Sequence, residues 1–253
     1  ERFKKVQQAY INFLALHPDH AGAHIAYGSF LSDTKDEESA AREWEKARDL
    51  DPKNPAVWNN LANYHGHRGP VTNAFIYYAK AIELNPLEPV YYHNFGTTVY
   101  LFRKDSMEFF HLDEQQVFDK AFDLYAKAQK LDPENFLLAT DIAQTYYGVK
   151  PMRAEAALQA WTNALSLARD EIEREGVYIH LARIKLDTGN LVEARAHLDG
   201  VTNGMYDSLK ARLLRNLDSR EGKNSAPTNE SNATSLEGTN LLRMEFTPTL
   251  RDP

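Results

Sequence analysis

The side chains of this sequence best suited to chemistry are its nine histidines. His20 and His24 stand four residues apart at the start of a helix, and His65 and His67 fall near His93. Two imidazoles one helical turn apart can share a zinc ion. Around them, however, the usual companions of catalysis are missing. The chain has no cysteine, which removes thiolate ligands, disulfides and a cysteine nucleophile. No glycine-rich phosphate loop, nucleophile elbow or His-Glu-x-x-His pattern occurs. The acidic pairs Glu37-Glu38 and Asp170-Glu171 belong to exposed helical faces. The expectation is a protein without catalytic residues, metal or cofactor.

The elements that would position any site announce themselves through punctuation. Leu-x-Pro recurs at Leu16 to Pro18, Leu50 to Pro52, Leu84 to Pro86 and Leu131 to Pro133, with prolines 34, 34 and 47 residues apart. A period of 34 residues is the mark of stacked helical hairpins. Aligned on the prolines, the second helix (B) of each hairpin shows Ala40, Ala74, Ala121 and Ala157, then Trp44, Tyr78, Tyr125 and Trp161, then Ala47, Ala81, Ala128 and Ala164. Small residues at fixed places let helices approach closely, and the aromatic fills the space between them. The first helix (A) carries His24, Trp58, Tyr92 and Ala139 in one row. A large-small pair follows in each: Tyr27-Gly28, Leu61-Ala62, Phe95-Gly96, Ile142-Ala143 and Leu181-Ala182. His24 thus stands in register with Trp58, which places it in a hairpin interface rather than on a metal.

With these residues the chain resembles the tetratricopeptide repeat (TPR) family, and Trp58, Leu61, Ala62, Ala74, Tyr78, Ala81 and Pro86 match its pattern in one uninterrupted repeat. The resemblance implies an all-α, right-handed α-solenoid of about five helical hairpins. It predicts a half repeat at 3–17, repeats at 21–54, 55–88, 89–135, 136–174 and 175–203, and a capping helix at 205–220, within one domain of 1–220. It also implies that the A helices line a concave groove. Carried onto this sequence, the groove positions are Asn59, Asn60, Asn63 and His67, then His93, Asn94, Thr97 and Tyr100, then Thr140, Asp141, Gln144 and Tyr147, and finally His180 and Arg183. Asn60 and Asn94 share a repeat position, and an amide that both donates and accepts can pair with the backbone of an extended chain. The lysines of a carboxylate clamp are absent, since Ile25, Asn59 and His93 occupy their places.

The third repeat is 13 residues longer than its neighbours, the excess lying at 102–116 between its helices. Insertions in such arrays map to loops on one face. This one holds Met107, Phe109, Phe110 and Leu112, candidates for contact with a partner. The sequence otherwise reads as the A helix running on past Tyr100, with Asp113 and Gln116 forming a capping box for the next helix. In repeat four the charged run Arg169 to Glu175 reads as a prolonged B helix ended by Gly176. The tail, 221–253, is polar apart from an apolar segment at 241–246, which is expected to dock on the chain itself or on a neighbouring subunit.

Composition narrows the partners. Lys plus Arg number 29 against 36 Asp plus Glu, a net charge of −7, which repels nucleic acid and anionic lipid. No apolar run reaches the roughly 18 residues of a membrane span, so a soluble setting, cytoplasmic or periplasmic, is expected. The expected function is a scaffold that binds another protein or peptide in its groove. The alternative is a structural subunit of a larger assembly, held through the insertion and the tail.

Overall fold

A computed structural model describes residues 2–222, and the apolar segment 241–246 lies outside them. The fold is an all-α solenoid of helical hairpins, with no strand among the described residues. Packing divides the chain into two compact units, the first ending at Pro133 and the second starting at Glu134.

The first unit holds α1 (Arg2–Leu16), α2 (Ala21–Asp33), α3 (Glu37–Leu50), α4 (Pro55–Arg68), α5 (Val71–Leu84), α6 (Pro89–Leu101), α7 (Arg103–Phe110) and α8 (Glu114–Leu131). The hairpins are α2 with α3, α4 with α5 and α6 with α8, and each A helix also packs against the B helix before it. Local chemistry sets the boundaries. The Asp36 carboxylate accepts from the Ser39 amide, the Asn54 side chain from the Ala56 amide, and Pro55 and Pro89 open their helices where a missing N–H costs nothing.

Within each hairpin the alanine rows are fully enclosed, and Trp44, Tyr78 and Tyr125 are buried against them. Where the small member of an A-helix pair is glycine, the facing ring leaves little or no room for a Cβ. A Cβ on Gly28 would lie 2.4 Å from the Trp44 indole nitrogen, and one on Gly96 would lie 3.0 Å from the Tyr125 ring.

The Leu-x-Pro marks have a bonding partner as well as a stopping role. Trp58 Nε1 donates to the Pro52 carbonyl at 2.8 Å, and the Tyr92 hydroxyl donates to the Pro86 carbonyl at 3.1 Å. His24 Nε2 lies 2.8 Å from the Pro18 carbonyl. The residue six positions after each proline thus closes the loop between hairpins onto the next A helix. At the fourth mark that residue is Ala139, which has no side-chain donor, and the border between the two units falls immediately after Pro133.

Two segments depart from the sequence reading. The A helix of repeat three does not run on: it ends at Leu101, and α7 begins at Arg103 after a kink at Phe102 (φ −103°, ψ 52°). His111, with φ 55°, then turns the chain into the capping box, where Asp113 Oδ1 accepts from the Gln116 amide and Gln116 Oε1 accepts from the Asp113 amide, both at 2.9 Å. The break lets Phe109 and Phe110 lie over Phe75, with ring centroids 5.3 and 5.1 Å from it.

The second departure lies in the second unit, which contains α9 (Phe136–Thr145), α10 (Ala154–Ser166), α11 (Glu171–Asp187), α12 (Leu191–Asp199) and α13 (Asp207–Arg220). The run from Arg169 to Glu175 does not extend α10. The Asp170 carboxylate accepts from the Glu173 amide at 2.8 Å and starts α11, and Arg169 forks onto Glu173. The boundary read at 174/175 therefore lies inside a helix, and Gly176 sits in its interior. An added Cβ there would come within 2.8 Å of the Tyr206 hydroxyl.

Beside it, the buried Glu175 carboxylate accepts from the backbone amides of Thr202 (2.9 Å) and Asn203 (2.7 Å) and from the Thr202 hydroxyl (2.8 Å), clamping the turn that leads to α13. The Asn203 amide, followed by the Thr202 donors, holds the Glu175 carboxyl below the usual carboxylate range despite its burial.

Two outcomes are expected. Tyr92→Phe removes the bond to Pro86 while keeping the ring, and should lower the unfolding free energy by about 1 kcal/mol in urea titration. Because Glu175 titrates lower in the folded protein than in the unfolded chain, its stabilisation is complete above the unfolded carboxylate's pKa. It is lost as pH falls through the lower folded value. Glu175→Gln should therefore unfold at lower temperature than the parent at neutral pH, with the gap narrowing in acid.

Candidate functional site

The predicted groove residues of the first unit lie on α4 and α6, which meet through Asn59, Asn63 and Asn94. Asn59 and Asn94 are 0% exposed and Asn60 is 1% exposed. Asn94 Nδ2 donates to Asn59 Oδ1 at 3.2 Å and to Asn63 Oδ1 at 3.3 Å, and the Tyr78 hydroxyl donates to Asn63 Oδ1 at 2.7 Å. The Asn60 amide takes the orientation that satisfies both its ends, accepting from Trp44 Nε1 at 3.3 Å and donating to the Ala56 carbonyl at 3.2 Å. Thr97 Oγ1 lies 3.1 Å from the Tyr125 hydroxyl, and His93 lies against the Tyr125 ring.

The two asparagine rungs expected to grip a peptide are thus turned inward. In this conformation Asn59, Asn60 and Asn94 offer a ligand essentially no surface. The physical reason is closeness: adjacent A helices approach until their polar faces meet, and a buried amide must find its partners among its neighbours.

Surface chemistry survives at the C-terminal ends of α2 and α4. There Asn63 and His67 border a polar notch of about 260 Å³ together with Ser32, Asp33, Lys35 and Tyr64. Ser32 and Asp33 were not singled out from the sequence, although they occupy in repeat one the last groove positions that His67 marks in repeat two. Tyr100 is buried, with the Arg103 guanidinium 5.2 Å from its ring centroid.

The insertion's apolar residues turn toward their own unit. Phe110 lies against Phe75 and Phe95 with the Lys120 ammonium 4.3 Å from its ring centroid, Met107 and Leu112 are half-buried, and Phe109 keeps 37% of its surface exposed.

In the second unit the sequence-selected Tyr147, His180 and Arg183 come together. The Tyr147 hydroxyl and His180 Nδ1 are 3.0 Å apart, His180 stacks on Trp161 at 4.0 Å with the planes 5° apart, and the Arg183 guanidinium stands 4.2 Å from the Tyr147 ring centroid. Burial first, and the Arg183 charge second, push His180 down to about 3, and burial pushes Tyr147 up. Neither group exchanges a proton near neutral pH. The cluster is a neutral, stacked support that holds a guanidinium. Thr140 and Asp141 are buried nearby on α9, and the Gln144 amide nitrogen is enclosed.

The histidines suspected of metal binding are engaged separately. His20 Nδ1 accepts from the Ala23 amide at 3.0 Å, His24 meets Glu43 and Pro18, and His65 Nδ1 lies 3.2 Å from the Gly69 carbonyl. Among the described residues no group of three His, Asp or Glu side chains is placed to hold a metal ion. No helix among them is long and apolar enough to cross a membrane.

This architecture is shared with solved structures. MamA is 22% identical, the match covering 65% of this chain and 88% of that one with a TM-score of 0.53. YrrB, described as a TPR protein with an unusual peptide-binding site, is 13% identical over 85% of this chain and 99% of its own, with a TM-score of 0.59. PilF of Pseudomonas aeruginosa is 18% identical over 90% and 92%, with a TM-score of 0.58. The chain therefore has the tetratricopeptide-repeat fold. No protein-family model matches the sequence, and neither does any curated protein.

The buried network makes its own prediction. Asn94→Ala removes the donor to the buried Asn59 oxygen and leaves the Asn63 oxygen with Tyr78, and should cost about 1–3 kcal/mol, read as a lower urea midpoint. His67→Ala, at an exposed position, should leave that midpoint in place.

Proposed function

We propose that the protein is a non-enzymatic scaffold whose A-helix face binds an extended segment of another protein. Each unit is taken by itself: the first offers the notch between α2 and α4, and the second offers a separate contact at Arg183 on its Tyr147–His180–Trp161 support. The observation that carries this reading is the notch itself. It sits at the groove positions of two successive A helices and presents donors and acceptors (Ser32, Asp33, His67) suited to backbone amides and polar side chains. YrrB, a protein of the same fold, is described as having a peptide-binding site, which makes peptides the first ligands to test. The enclosed asparagines contribute stiffness: they fix the spacing of the A helices, so an extended chain meets a preformed surface and the ordering cost of binding falls on the ligand alone. The scaffold reading assigns no catalytic step and needs no cofactor.

Random peptides displayed on phage and selected on the intact protein test the reading. Selected peptides should bind His67→Glu or Arg183→Glu about tenfold or more weakly, a change of about 1.4 kcal/mol or more, while both variants keep the parent melting temperature. Failure to enrich any peptide, or enriched peptides that bind both variants with unchanged affinity, would overturn it.

A further inference from the structure

A second concavity lies away from the A-helix notch, between α1 and α3, and its origin is visible in the repeat register. In repeat two the interface positions hold Trp58 and Tyr77, whose rings pack edge to face at 5.3 Å. In repeat one the same two positions hold His24 and Glu43. The His24 imidazole reproduces only the five-membered half of the indole: its Nε2 meets the Pro18 carbonyl at 2.8 Å just as Trp58 Nε1 meets that of Pro52 at 2.8 Å. The six-membered ring of the indole and the phenol of Tyr77 have no counterpart. What remains is an open cleft of about 530 Å³ with His24 and Glu43 among its lining residues.

The walls change in a consistent direction. Where α3, the helix before repeat two, carries Glu45 and Arg48, α1, the helix before repeat one, offers Ile11 and Leu14 at the same positions, both lining the cleft together with Leu50. Ile11 is 44% exposed and Leu50 40% exposed, so apolar surface reaches the rim. The floor is polar at one point. Glu43 Oε2 lies 2.6 Å from His24 Nδ1 and Oε1 accepts from Lys46 Nζ at 2.8 Å, which leaves each oxygen a further lone-pair direction. Burial pushes the Glu43 carboxyl up, but the Lys46 and His24 hydrogen bonds outweigh it and hold the group ionised. Asp49 adds a second carboxylate at the lining. The cleft therefore combines space of aromatic shape, apolar walls and surplus acceptors.

We infer that this cleft receives an aromatic side chain bearing an N–H donor, a tryptophan of a partner polypeptide, which supplies in trans the ring that repeat two supplies from its own sequence. Its indole stacks between Ile11, Leu14 and Tyr27 and its N–H points to the Glu43 carboxylate. The shape argument favours a ring over an aliphatic chain, and the carboxylates favour a donor-bearing ring over a phenyl group. This inference is independent of the A-helix reading, and neither stands or falls with the other.

The test is methyl NMR of the full chain, following Ile11 and Leu14 during titration with N-acetyl-L-tryptophanamide, whose capped ends mimic a residue within a polypeptide. Saturable ring-current shifts at both methyl groups are expected, with N-acetyl-L-leucinamide producing none. The double substitution His24→Trp with Glu43→Tyr fills the cleft from within and should abolish the shifts. If that variant loses its helical circular dichroism, Ile11→Glu at the exposed rim serves instead, read through Leu14, and should weaken binding about tenfold or more. Absence of saturable shifts, equal shifts with the leucine amide, or undiminished binding in the folded variants would overturn the inference. Tighter binding of free tryptophan than of the capped amide would also overturn it, by marking a site for the free amino acid.

Discussion

Two of the three hairpins in the first unit depend on a ring meeting a bare backbone. Trp44 lies so close to Gly28 that a single added carbon would overlap it, and Tyr125 leaves Gly96 only a tight 3.0 Å. That approach sets the distance between the helices of a hairpin. With the distance fixed, the alanine rows vanish into the interior, and the A helices are brought near enough for their polar sides to touch. Packing at this density leaves little slack, so the polar consequences follow from the apolar cause.

Those consequences reverse the ordinary reading of a polar helix face. A row of asparagines in a sequence suggests solvent or ligand, yet here the amides of Asn59, Asn63 and Asn94 are exchanged among themselves and with Tyr78. A hydrogen-bonded amide cluster is directional where apolar contacts are not. It specifies one rotation of α4 against α6, whereas leucines would tolerate several. At the C-terminal ends of α2 and α4, polar groups such as Asp33 and His67 regain contact with water. The second unit uses another device, stacking Trp161, His180 and Tyr147 beneath Arg183, so that a cation is held rigidly by groups that carry no charge themselves.

Much of the fold was legible in the sequence because its signals are local and repeated. The Leu-x-Pro marks, the alanine pairs and the aromatics recur at fixed spacing, and the capping box at Asp113 and Gln116 needs only four residues to be seen. The site was less legible. Whether Asn94 faces water or Asn59 depends on how closely two helices 35 residues apart in sequence approach, which no local pattern encodes. The start of α11 was misread for a related reason: the charge spacing of Arg169 to Glu175 suits a helix, but Asp170 serves that helix as its cap rather than as an interior residue. The pairing of His24 with Glu43 was within reach. Their register with Trp58 and Tyr77 was visible, and the substitution of a ring pair by an ion-forming pair already implied missing volume.

The short helix α7 bears on how freely such arrays can be rearranged. Phe75 belongs to repeat two, but Phe109 and Phe110, which cover it, are carried by repeat three. Neighbouring hairpins in this unit already share buried contacts, as where Asn94 of repeat three reaches Asn59 and Asn63 of repeat two. At the α5–α6 junction the dependence goes further, because a copy of repeat two placed before any other hairpin would expose its phenylalanine to water. Duplication, deletion or exchange of hairpins across this junction would therefore cost the burial of that ring.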